Sequence, residues 1–229
     1  MKRWMKILML PAVVSCTPPL SERWAHLSAE ELFLAVEERY VNAPNVTWSS
    51  VLEEDSNSQK GSKGRITLRA QVSFEGNDKF RIAMEFQGVK DSRMLLQSDG
   101  VHAFMTSGED GDRTGIPMTE DIGRILRKVV FRSGLAPPVL GVGFSVTGFS
   151  KLEDVDRKLP VSGLRFGLDT RILGLETRMI QYTLGLQPGS PPLRVSLWID
   201  RKTLALFRRE MSPADGSTSF EVISDTVFE

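Results

Sequence analysis

The sequence predicts an α+β fold: a curved antiparallel sheet of about eleven strands forming an unclosed β-barrel, with two helices covering its concave face. Two observations carry that expectation. From Val46 to the C-terminus apolar residues recur with period two between Gly, Asn and Asp turns, and helical stripes appear only twice, near 28–43 and 118–134. An antiparallel sheet this long cannot stay flat; it curls, and the helices cover its apolar side.

The first helix is written in "LSAEELFLAVEERYVNAPN". Ser28 is an N-cap and Glu31, three residues on, completes a capping box. Leu32, Phe33, Val36 and Tyr40 form the apolar stripe, Glu30, Glu37, Glu38 and Arg39 are expected to face water, and Pro44 ends the helix. Strands follow. In "GRITLRAQVSFEG" the apolar Ile66, Leu68, Ala70, Val72 and Phe74 alternate with polar neighbours, giving one dry and one wet face. Gly76-Asn77-Asp78 turns the chain into "KFRIAMEF", and "SRMLLQSDGVHAFMTSG" repeats the hairpin around Asp99-Gly100. "MTEDIGRILRKVVFRSG" is the second helix, with Thr119 as the expected cap, Ile122, Ile125, Leu126, Val129 and Val130 as its stripe, and Gly134 as its stop. Shorter strands are expected near 143–151, 163–168, 175–184, 193–200, 204–211 and 217–228.

The chain of 229 residues is long enough to bury one core without staples, and its single cysteine excludes an internal disulfide. Basic and acidic residues balance at 29 each, which leaves no electrostatic footprint for nucleic acid. Nor does any apolar run reach the length of a membrane-spanning helix.

Lys2, Arg3 and Lys6 precede the apolar residues 7–14 and Cys16, the pattern of a secretory signal. Val13-Val14-Ser15-Cys16 resembles the lipobox of bacterial lipoproteins, in which cleavage precedes the cysteine and its thiol takes up a diacylglycerol. The expected organisation is therefore a signal peptide over 1–15, lipid attachment at Cys16, a tether over 16–27 and one domain over 28–229. The plain alternatives are an ordinary N-terminus with a chance cysteine, or a signal with a chance cysteine beside it. Losing residues 1–15 would leave 26 basic against 29 acidic residues. Thr17 after the cysteine suits an outer-membrane destination facing the periplasm, by the usual sorting rule.

Catalytic chemistry is not expected. His26 and His102 are the only histidines, and neither sits in a recognisable acid–base arrangement. One cysteine and two distant histidines do not make a zinc site. The acids Glu109, Asp110 and Asp112, and Glu153, Asp154 and Asp156, lack calcium-loop spacing and read as solvated surface. Gly141, Gly143 and Gly148 do not match a dinucleotide loop. No cofactor and no metal are expected.

"NDKFRIAMEFQG", "LLQSDGVHAFM" and "VSLWIDRKTLALFRREM", together with the element order, resemble the LolA/LolB-like lipoprotein carriers and receptors over roughly residues 28–228. The resemblance implies a half-barrel with a helical lid whose apolar interior holds a lipid or acyl chain. Trp48, Phe74, Phe80, Met84, Phe104 and Trp198 are the candidate lining; the same residue types also serve simply as core. The expected role is a membrane-anchored envelope lipoprotein that binds a hydrophobic ligand, with other envelope proteins as further partners. The alternative is a structural or sensory envelope protein that binds another protein and carries no lipid. The acidic hairpin "SGEDGDRTGIP" and the polar loops favour that alternative, since they offer a membrane no apolar tip.

Overall fold

The structure is a computed structural model and describes residues 24, 26–57, 63–108, 111–116, 118–135, 149–185, 191–212 and 219–229. Residues 1–23 lie outside this set, so the signal, the tether up to residue 23 and Cys16 are not described. The same holds for the glycines of 141–148 and for residues 109 and 110.

Among the described residues there are three helices and twelve strands. The order is α1 (Ala29–Asn42), β1 (Asn45–Asn57), β2 (Lys63–Glu75), β3 (Lys79–Phe86), β4 (Met94–Asp99), β5 (Ala103–Ser107) and β6 (Asp112–Ile116). Then come α2 (Ile122–Ser133), α3 (Leu152–Lys158), β7 (Val161–Phe166), β8 (Thr170–Ile172), β9 (Leu175–Leu184), β10 (Leu193–Asp200), β11 (Leu206–Ser212) and β12 (Ser219–Phe228). All strands join one antiparallel sheet in the order β6-β5-β4-β3-β2-β1-β12-β11-β10-β9-β7, with β8 also paired to β9. Two meanders are thus sewn together where β12 returns to β1, and Asn45 and Glu229 exchange backbone hydrogen bonds at that seam. β6 and β7 end the sheet without pairing to each other, so the barrel is unclosed, as expected.

The local chemistry follows the sequence in most places. Ser28 and Glu31 form the capping box of α1. Gly76 takes a positive φ in the β2–β3 turn, and the Asp99 carboxylate accepts from the N–H groups of Val101 and His102 to close the β4–β5 turn. Four details differ. Thr119 does not cap α2: Asp121 stands at its N-cap with φ 60° and makes no side-chain cap bond, while the Thr119 hydroxyl is buried without a hydrogen-bond partner among the described residues. Ile66, at the distal end of β2, is 40% exposed. Residues 149–151 are not a strand, and the chain goes straight into α3, a third helix the periodicity did not reveal. Finally, β6 and β8 raise the strand count above eleven.

Candidate functional site

The sheet's concave face is apolar from one meander to the other. Register places Trp48, Val72, Ile82, Leu96 and Met105 in one cross-strand row, and Phe74, Phe80, Ser98 and Ala103 in the next. In the second meander Ile180 opposes Leu197, and Tyr182, Val195 and Met211 form a row, all buried. The side chains of α1 and α2 fill the space between the halves. Rings touch in an unbroken chain: Phe80 to Phe74 at 6.2 Å, Phe74 to Trp48 at 5.8 Å, Trp48 to Tyr40 at 5.9 Å, Tyr40 to Phe131 at 5.4 Å, Phe131 to Phe33 at 5.4 Å and Phe33 to Tyr182 at 5.2 Å. Toward β4 and β5 the helix cover thins, and Phe86, Met94, Met105 and Met118 are only partly buried against the core.

Of the six candidate lining residues, Trp48, Phe74, Phe80 and Met84 share this concave face and are buried in its core. Phe104 and Trp198 do not. Phe104 opposes Gln97 on the outer face, beneath the Arg113 guanidinium at 3.4 Å, and Trp198 opposes Met179 and Arg208 there. The reason is the pleat: Ala103 and Leu197, their chain neighbours, take the inward positions.

Sequence reasoning missed the charged groups among these apolar side chains. Glu37 points inward, toward Arg132 of α2, whose Nε and Nη2 donate to its two carboxylate oxygens at 2.6 and 3.0 Å. Arg132 also donates to Asp156 of α3 at 2.6 Å, and Lys128 reaches the same carboxylate at 2.8 Å. Burial opposes the Arg132 charge, but the Glu37 and Asp156 carboxylates outweigh it and hold the guanidinium protonated. From the sheet side, Arg209 of β11 bonds Glu221 of β12 and donates to the Val130 and Phe131 carbonyls of α2 at 3.0 and 2.6 Å. Arg127, 1% exposed, has no carboxylate partner among the described residues: it donates to the carbonyls of Val41 and Ala43 at the end of α1 and of Gly76 in the β2–β3 turn. Burial, reinforced by the nearby Arg124 charge, lowers its pKa to about 10. Buried tyrosines complete the polar set. Tyr182 donates to the Arg132 carbonyl at 2.7 Å, and the Tyr40 oxygen accepts the Leu206 N–H at 2.9 Å; burial pushes the Tyr40 phenol up to about 12.

One signal for this network was present. Glu37 lies four residues after Phe33 and three before Tyr40, on the apolar stripe of α1 rather than opposite it. The 153–156 cluster lies at the surface, as expected, but two of its acids have structural partners. Asp154 caps α3 by accepting from the Ser150 hydroxyl and N–H, and Asp156 holds Arg132 and Lys128. Two open cavities among the described residues lie away from the helix cover. One, of 590 Å³, is at the 86–90 turn, and the other, of 280 Å³, is on the outer face at the Thr47–Ser49 bulge.

No protein-family model matches the chain, and no curated protein matches it. Solved structures similar to it include a LolA superfamily protein from Nitrosomonas europaea, at 9% identity and TM-score 0.35, covering 89% of this chain and 94% of that one. An outer membrane lipoprotein-sorting protein domain from Vibrio parahaemolyticus is similar at 13% identity and TM-score 0.36, covering 91% and 93%. A hypothetical protein from Chlamydia trachomatis is similar at 8% identity and TM-score 0.42, covering 84% and 92%. A LolA superfamily chain is thus among the structural matches, at low identity and low TM-score.

Proposed function

We propose that this protein is a membrane-anchored envelope lipoprotein whose concave face takes up a lipid, an acyl chain or another hydrophobic ligand when its helical cover lifts. The observation that carries the reading is how the cover is held. An apolar face spans both meanders, and α1, α2 and α3 are fastened over it by Glu37–Arg132–Asp156, by Arg209 on the Val130 and Phe131 carbonyls and by Arg127 on backbone carbonyls. Polar latches regain water when a cover opens, whereas the apolar face beneath needs an apolar replacement for the helix side chains. The partly buried Met94, Met105 and Met118 supply flexible, polarizable contacts along the β4–β5 side, where such a ligand would enter. The role is binding; His102 sits exposed on the β4–β5 turn and belongs to no proposed chemistry. The anchor is Cys16, after the signal-like residues 1–15.

The test is intact and native mass spectrometry on protein purified from its own membranes, beside Cys16→Ser. A lipid-sized increment lost in Cys16→Ser supports the anchor. A second, releasable lipid mass that survives that substitution supports the cavity reading, and its absence from both proteins overturns it.

A second reading, a structural or sensory protein that binds another envelope protein, is favoured by one observation. On the outer face the Arg208 guanidinium lies 4.9 Å from the Trp198 ring and 5.4 Å from Phe220, beside the exposed Val51 and Val222. Trp and Arg clustered in this way are typical of interface hot spots. Under this reading Trp198→Ala abolishes a discrete crosslinked band in intact cells while any lipid mass remains; an unchanged crosslinking pattern removes it.

A further inference from the structure

The outer face of the first meander holds a hollow lined by polar side chains. Register puts Thr47, Ser73 and Arg81 in one cross-strand row and Ser49 and Gln71 in the next, while their chain neighbours Trp48 and Val72 point inward and are buried. At the seam the pairing slips: Thr47 opposes Val227 and Ser49 opposes Ser224, so β12 advances one residue more than β1. Such a bulge bends its strand and re-aims a side chain. Asp225 lies within it at φ 55° and, together with those five residues, lines the 280 Å³ cavity there.

The hollow differs from the rest of the outer face in its unused hydrogen-bonding capacity. On the second meander polar side chains satisfy one another: Arg165 donates to Gln181 at 3.3 Å, and Gln181 donates to Ser196 at 3.3 Å. Around the hollow no side-chain hydrogen bond joins Thr47, Ser49, Gln71 or Ser73 to a described residue. Arg81 donates only to the Gln97 amide oxygen at 3.2 Å, and Asp225 accepts only the Ser224 hydroxyl at 3.0 Å, again among the described residues. Charges nearby do pair, as Lys79 does with Glu75 at 3.3 Å and Arg208 with Glu210 at 3.4 Å. Arg81 and Asp225 instead face one space from opposite sides. β2 and β1 lie between their strands, so their backbones stand roughly 14 Å apart, three strand spacings. The complement of this surface is a molecule anionic at one end, cationic at the other and able to donate and accept hydrogen bonds between. A dipeptide has that chemistry, and at about 7 Å when extended it fits between two side chains that both reach inward.

We propose that this hollow binds a short zwitterionic peptide, with its carboxylate on Arg81, its ammonium on Asp225 and its peptide group among Thr47, Gln71 and Ser73. The site lies on the opposite face of the sheet from the hydrophobic ligand and is independent of that reading. The test is an amide-resolved NMR titration of the full chain carrying Cys16→Ser, which keeps it free of any acyl anchor. The probes are Ala-Ala, N-acetyl-Ala-Ala, which lacks the ammonium, and Ala-Ala amide, which lacks the carboxylate. Ala-Ala should shift the amides of residues 47–49, 71–73 and 225 together, with a Kd of about 1 mM. Each blocked peptide should bind about fivefold more weakly. Arg81→Gln should weaken Ala-Ala about fivefold and leave Ala-Ala amide unchanged, and Asp225→Asn should weaken Ala-Ala equally and leave N-acetyl-Ala-Ala unchanged. Asparagine tolerates the left-handed backbone at 225, so that variant keeps the bulge. Because each substitution spares one blocked peptide, a general disturbance of the sheet does not imitate the pattern. No shift at ten times that concentration, blocked peptides that bind as well as Ala-Ala, or O-phosphoethanolamine binding more tightly than Ala-Ala overturns the proposal, whether or not a lipid co-purifies.

Discussion

Arg132 ties the three helices together: it projects from α2 and binds Glu37 of α1, Asp156 of α3 and the Leu159 carbonyl, and Lys128 beside it reaches the same two carboxylates at 4.0 and 2.8 Å. Arg132→Met should cost about 3 kcal/mol, because it leaves Glu37 charged and buried without its two hydrogen bonds and with only Lys128 at 4.0 Å to offset it. Adding Glu37→Leu should restore most of that loss, since a well-packed apolar pair is often as stable as the ion pair it replaces. Denaturant unfolding of the two proteins decides the matter; equal stability would mean that the network contributes little. Asp154 gives a pH-dependent counterpart at the surface. Hydrogen bonds from the Ser150 hydroxyl, then from its N–H, bring its pKa from 3.8 down to about 2 in the folded protein. A depressed carboxylate stabilises the fold above its unfolded value and loses that contribution as pH falls through its folded one. α3 should therefore loosen between pH 3.8 and about pH 2. Asp154→Asn should flatten the unfolding midpoint across that window, and a midpoint that falls as steeply as the parent's would exclude this cap as the cause.

Among the elements, α2 sits hard against the β2–β3 turn. A Cβ on Gly123 would lie 2.2 Å from the Asn77 carbonyl oxygen in the β2–β3 turn, and backbone cannot yield as a side chain can. Gly123→Ala should cost about 1–3 kcal/mol by overpacking. Amide exchange should quicken in α2 while β9–β12 keep their protection; unchanged exchange in α2 would show that the turn simply shifts. The β8–β9 turn moves the other way. Relieving a left-handed leucine should make Leu173→Asn more stable by up to about 1 kcal/mol, a rise of about 2–4 °C in Tm at this chain length.

The same elements show what the sequence made legible. Strand alternation, the Ser28–Glu31 box and the Asp99 turn depend on neighbours within a few residues, so local pattern revealed them. α3 has seven residues, too few to display a helical period, and it is held by Asp154 and by the Asp156–Arg132 pair. Arg127 and Arg209 were illegible as interior residues because their partners are backbone carbonyls and a distant charge supplied only by the fold, whereas Glu37 was marked by its place on the apolar stripe of α1. Leu173 was hidden for the opposite reason, since an alternating apolar residue looks inward until the turn geometry turns it out.

The whole molecule poses a competition between helix side chains and any ligand. Phe33, Val36, Tyr40, Leu126 and Phe131 are buried in the space an acyl chain would need, so the chain enters only as the helices yield. Replacing one apolar filling by another changes little buried area, which makes the exchange energetically close to even apart from the latches. The latches then set the bias. Opening the cover exposes Arg132, Glu37 and Arg209 to water, which solvates them well. Loading the protein with a medium-chain fatty acid should therefore raise amide exchange in α1 and α2 while lowering it in β3–β5, beneath Phe86, Met94 and Met105. Arg132→Met should shift the same balance toward the loaded form and raise apparent affinity severalfold, since a cover that is closed less of the time costs the ligand less to displace. Exchange that slows uniformly over helices and sheet would instead place the fatty acid on the outer face, at the Thr47–Ser49 bulge or the 86–90 turn. In that case the concave face is a core and nothing more, and affinity should be indifferent to Arg132.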